Sequence, residues 1–143
     1  MKNFLLLLFS TALMLACGKD KDKALELETE VMQMHDEVMP KLDEIMSLKA
    51  QLSKRIQHAD SLQNEGISGN SIAEDRMKSV DMNQKLNQSD KMMMDWMNNY
   101  RGDSAKKLKP QEAVLYFETE KKKMTDIKEF TLKSIQEAKT FLN

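Results

Sequence analysis

The chain is poor in the residues that break and bend a backbone. Four Gly and two Pro among 143 residues leave little material for the frequent tight turns of a β fold and favour long helices with short connections. A single cysteine excludes an intramolecular disulfide framework and any zinc site built from several thiolates. Two histidines give acid–base catalysis few actors, and no Ser/His/Asp arrangement, phosphate-cradling glycine loop or zincin motif is present. No apolar run reaches the roughly 20 residues that a membrane-spanning helix requires. Charge of one sign is also missing. With 22 Lys+Arg against 23 Asp+Glu and a net charge of −1, the surface is mixed and does not advertise nucleic-acid binding. There are no internal repeats.

What is present begins with a leader. Lys2 supplies a positive start, and Phe4 to Leu15 is a short apolar run interrupted only by Ser10 and Thr11. Residues 1–16 read as a signal segment, too short to span a bilayer. The run ends Leu13-Met14-Leu15-Ala16-Cys17-Gly18. This resembles a bacterial lipobox, with Met14 and Leu15 standing where the pattern usually has Leu and a small residue. The resemblance implies cleavage by signal peptidase II and a lipidated, palmitate-bearing Cys17, which also accounts for the lone thiol. Cleavage removes Lys2 and no acid, so the charge moves from −1 to −2. Gly18 stands where many inner-membrane lipoproteins carry Asp, which by analogy favours the outer membrane. The run Lys19-Asp20-Lys21-Asp22-Lys23 faintly resembles surface-export signals of Bacteroidota lipoproteins, and it leaves the periplasmic and exposed faces both open. Residues 17–24 read as a charged tether, and residues 25–143 as one domain with one modest core.

That domain is organised around a helix from Leu25 to about Gln63. Val31, Met34, Val38, Leu42, Ile45, Leu52, Ile56 and Ala59 recur mostly at steps of three and four, the spacing of one helix face. A second stripe, Met32, His35, Met39 and Met46, lies beside it, which suits a helix touching two neighbours. Pro40 lacks an N–H and crowds the preceding turn, so a kink is expected there. Gly66, Gly69, Asn64 and Asn70 end this helix, and Ser71-Ile72-Ala73-Glu74 matches a capping box. A second helix then spans about Ile72 to Tyr100, its best face Met82, Leu86, Met93, Met97 and Tyr100. A third starts near Pro110, a favourable first helical residue. Its stripe is the cleanest in the chain: Ala113, Phe117, Glu120, Met124, Ile127, Thr131, Ile135, Ala138 and Leu142. The expected fold is all-α, an antiparallel up-down-up three-helix bundle.

Ten of the 13 methionines fall between Met32 and Met97. A hairpin turning about Gly66 to Asn70 sets Met39 opposite Met97 and Met46 opposite Asp90, with His35 near Tyr100 and Arg101. Thioether sulfur and imidazole nitrogen select Cu(I) or Ag(I) over Mg²⁺ or Ca²⁺. His35 and Met39 are four apart, and Met93 and Met97 repeat that spacing, so the four could form a Cu(I) site. The same methionines can equally be flexible core filler against Trp96. Two acids, Asp90 and Glu120, fall on apolar stripes at a similar level. They are candidates for buried acid–base work or for structural pairing with Lys49 and Lys121. Lys106, Lys107, Lys109 and Lys121 to Lys123 read as a solvated face, and His58 as a surface residue. Arg101-Gly102-Asp103 matches the integrin tripeptide by chance.

The Cys-Gly-Lys start, the Met-His-Asp-Glu-Val-Met-Pro run (Met34 to Pro40) and the Met-Met-Asp-Trp-Met run (Met93 to Met97) resemble small lipoproteins of Bacteroidota, some named after viral A-type inclusion proteins. That resemblance implies no activity. The expected role is a lipid-anchored, methionine-rich envelope protein, non-enzymatic and without a cofactor, that contacts the membrane through its lipid and an envelope protein partner through its helices. Soft-metal binding at the Met/His cluster is the alternative.

Overall fold

A computed structural model describes the backbone of residues 2–143 and the side chains of residues 19–143. Five helices follow one another: α1 (Lys2–Val38), α2 (Lys41–Asn64), α3 (Asn70–Asn99), α4 (Gly102–Ala105) and α5 (Pro110–Leu142). No strand occurs among the described residues, and no helix among them is long and apolar enough to cross a membrane. The lipidation expected at Cys17 falls outside the residues whose side chains are described.

The helix expected from Leu25 to Gln63 is divided into α1 and α2 at Met39 and Pro40. Proline has no N–H to continue the ladder. Met39 still donates to the His35 carbonyl at 2.9 Å, and Leu42 donates to the Met39 carbonyl at 3.2 Å. The far end of α2 closes as a Schellman motif. Gly66 has φ +79°, its N–H bonds the Gln63 carbonyl, and the Ile67 N–H bonds the Leu62 carbonyl. Only glycine takes that conformation without strain.

Two expectations about helix starts differ in outcome. The capping box at Ser71 is not formed: α3 begins at Asn70 after an extended Gly69, with no side-chain cap. A start two residues earlier puts Ser71 inside the helix, where its hydroxyl is no longer at the cap position. At α5, Pro110 is the first residue, and Glu112 Oε2 accepts from the Lys109 backbone N–H at 3.3 Å.

The lateral pairings fix how the helices lie. Lys23–Glu118 (2.6 Å), Glu30–Lys121 (2.7 Å), Glu37–Lys128 and then Glu44–Lys139 join α1 and α2 to α5, and both numbers of each pair rise together. Arg55–Asp75 (2.7 Å) and Lys49–Asp90 (3.8 Å) join α2 to α3 with numbers running oppositely. Trp96–Glu120 (2.8 Å), Ser89–Thr131 (2.6 Å) and Lys85–Glu137 (2.9 Å) do the same between α3 and α5.

The core lies in three successive clusters along these helices. Ala24, Leu27, Ala105, Ala113 and Phe117 form the first. Val31, Val38, Met93, Trp96, Met124 and Ile127 form the second. Ile45, Leu48, Leu52, Leu86, Ile135 and Ala138 form the third. Residues 19–24, part of the stretch expected as a charged tether, are helical; among them Asp20 accepts from Gln111, Lys23 pairs with Glu118 and Ala24 joins the first cluster.

Candidate functional site

The second cluster is where the methionines gather, and local sequence explains why. His35 lies in the last turn of α1 and Met39 just beyond it, its N–H bonded to the His35 carbonyl, while Met93 and Met97 share a face in the last turns of α3. Met93 is fully buried, and Met32, Met34, Met39, Met92 and Met97 pack around the cluster as half-buried side chains. His35 Nε2 lies 3.4 Å from Met97 Sδ. The histidine side chain is only 16% exposed, and its Nδ1 is 3.0 Å from Asp36 Oδ1. Its ring centroid lies 5.6 Å from that of Trp96. The expected neighbours of His35 were Tyr100 and Arg101. Met97 and Trp96, about one turn earlier in the chain, take that place.

Trp96 is held from the other side. Its indole N–H donates to Glu120 Oε2 at 2.8 Å, and Lys123 Nζ donates to Glu120 Oε1 at the same distance. Glu120 is 5% exposed, so the candidate buried acid on α5 is in place and both its oxygens are occupied. Asp90 is not its buried counterpart. Its side chain is 42% exposed and reaches Lys49 at the bundle surface. Ser89 holds the buried position instead, sharing a hydrogen with Thr131 at 2.6 Å. The small hydroxyl fits between closely packed helices where a carboxylate would need two partners. Met46, expected opposite Asp90, points to solvent and is 66% exposed.

Above the cluster, Tyr100 stacks on Trp96 with centroids 4.8 Å apart. Its hydroxyl is buried without a hydrogen-bond partner. Burial, and secondarily the Glu28 carboxylate, push its pKa up to about 12. The hydroxyl lies against Gly102, where an added Cβ would stand 2.6 Å away.

Sequence reasoning placed Met124 on the α5 stripe without assigning it to this cluster. The signal available was its level, one turn beyond Glu120. The lysines on this side are spent locally: Lys106 on Glu28 and Asp103, Lys121 on Glu30, Lys122 on Asp126. Open to solvent beside Trp96 is a cleft of about 430 Å³ floored by Met92, Trp96 and Ile127. Among the described residues, no group of three or more His, Cys, Asp or Glu side chains is arranged to hold a metal ion. Comparison of the chain with protein-family models, with characterised proteins and with solved structures finds no match.

Proposed function

We propose that this chain is a lipid-anchored protein of the cell envelope, in the outer membrane, that acts by contact with another envelope protein and not by catalysis. Its body is an up-down-up bundle in which α1 and α2 make one rod kinked at Pro40. The rising pairings of α1 and α2 with α5, and the opposed pairings of α3 with both, support that arrangement.

One observation carries the reading. The residues just after Cys17 are tied to the bundle: Gln111 Nε2 donates to Asp20 Oδ2 at 2.6 Å, and Lys23 Nζ pairs with Glu118 at 2.6 Å. An acylated Cys17 would thus be separated from the first tie by Gly18 and Lys19 alone. The bundle would stand on the membrane instead of trailing from it. At about 1.5 Å per helical residue, the turn at Gly66 would then project up to roughly 70 Å from the bilayer. A stiff rod fixed at one end suits a role in spacing or docking.

Fractionation of envelopes tests this. The wild-type chain should sediment with outer membranes, and in-cell cross-linking should yield one discrete heavier species. Cys17→Ser should release the chain to the soluble fraction and remove that species. A Cys17→Ser chain that stays in the membrane and keeps the cross-link would overturn the proposal.

A further inference from the structure

We infer that His35 and Met97, with Met39 as third ligand, form a binding site for one soft monovalent cation, Cu(I) or Ag(I), beside the face of Trp96. Asp36 Oδ1, 3.0 Å from His35 Nδ1, is a carboxylate and can only accept, so it draws the ring hydrogen to Nδ1. That leaves Nε2 with a bare lone pair. The atom it faces at 3.4 Å is the Met97 sulfur, which also has only lone pairs to offer. Two acceptors aimed at each other gain nothing until a cation lies between them.

The separation has the scale of a shared ion: zinc-like bonds of about 2.0 Å to imidazole nitrogen and about 2.3 Å to sulfur at a tetrahedral centre set the two atoms about 3.5 Å apart. The neutral donor set, imidazole plus thioethers, suits a soft singly charged ion and offers nothing to Mg²⁺ or Ca²⁺. The Asp36 contact is the arrangement that orients a metal-bound histidine and raises its basicity.

Met39 completes the set because it follows His35 by one turn on the same face and packs on the same cluster. It sits at the break between α1 and α2, and its unbranched side chain adapts easily. Met93, one turn before Met97, is fully buried among aliphatic side chains and serves the core. The site does not depend on the lipid anchor, and either can fail without the other.

Trp96 is the only tryptophan in the chain, so its fluorescence reports directly on an ion bound to His35. The experiment uses the purified full chain in a Cys17→Ser background, because a free thiol would capture either ion. Titration with Ag(I), and with Cu(I) under reductant against a chromophoric competitor, should quench Trp96 with a break at one equivalent. Met97→Leu, which conserves volume, and His35→Gln should each weaken binding at least 100-fold while circular dichroism keeps the helical signal. Met93→Leu should leave the affinity within about threefold. Asp36→Asn should weaken it about 10-fold, as expected for a residue that orients a ligand. Absence of a one-equivalent break in the Cys17→Ser chain would overturn the inference. So would a break that survives both His35→Gln and Met97→Leu.

Discussion

Trp96 donates its indole hydrogen to Glu120 Oε2 across 2.8 Å, and this bond joins α3 to α5 at the level of the methionine cluster. Both groups are nearly sealed from solvent. Glu120→Ala strands the indole N–H and should cost about 2–3 kcal/mol, the penalty of a buried unsatisfied donor. Glu120→Gln keeps an acceptor and should cost less than about 1.5 kcal/mol. Urea unfolding at pH 7 measures both.

The Ser89–Thr131 hydroxyl pair makes a second, independent staple between the same helices. Replacing one partner leaves the other buried alone, whereas Ser89→Ala with Thr131→Val removes both. Each single variant should lose about 1–2 kcal/mol. The double variant should lose less than the summed singles by at least about 0.5 kcal/mol in a double-mutant cycle. Strict additivity would show that the two hydroxyls are not coupled.

Tyr100 carries the opposite kind of defect, a buried hydroxyl without a partner. Tyr100→Phe should raise stability by about 1 kcal/mol, because the desolvated group is removed and the ring stack kept. The pH consequence has a definite sign. The hydroxyl ionises near its ordinary 10.0 when unfolded and only near 12 when folded. Below 10 the hydroxyl is protonated in both states and adds no pH dependence; as pH rises from there towards 12 the unfolded state ionises first and stability falls. Alkaline unfolding should therefore set in later in Tyr100→Phe. Ultraviolet titration should show one of the two tyrosines ionising near 12.

At the other end of α2, the Arg55 guanidinium, through its hydrogen bonds, holds the Asp75 carboxyl below its ordinary 3.8. A depressed carboxylate contributes stability above the unfolded value, and loses it as pH falls below 3.8 towards the folded value. Both side chains are about a third exposed, so the effect is screened by salt. Arg55→Met should flatten the acid limb of the stability profile in low salt and change it little in high salt.

How much of this could be read beforehand depended on how regular each stripe was. On α5, every expected core residue from Ala113 to Ala138 is buried, because an almost unbroken three-four spacing admits one orientation. On α3 the buried set is Ser79, Leu86, Ser89, Met93 and Trp96. The stripe through Met82 and Met97 was displaced because Asn83, Asp90 and scattered methionines leave two faces nearly equal. Small hydroxyls at Ser79 and Ser89 do not announce burial in a hydropathy pattern. Hairpin register brought His35 and Met97 to one end of the helices but set Tyr100 and Arg101 against His35, about one turn from its actual neighbour Met97. The 3.0 Å approach of Asp36 Oδ1 to His35 Nδ1 required coordinates.

The central claim is that a lipid at Cys17 fixes the bundle to the envelope, and intact-mass analysis of the mature protein tests it most directly. The account predicts a chain that starts at Cys17 and carries acyl groups on that residue. A chain that starts elsewhere, or begins at Cys17 with a free thiol, would contradict it.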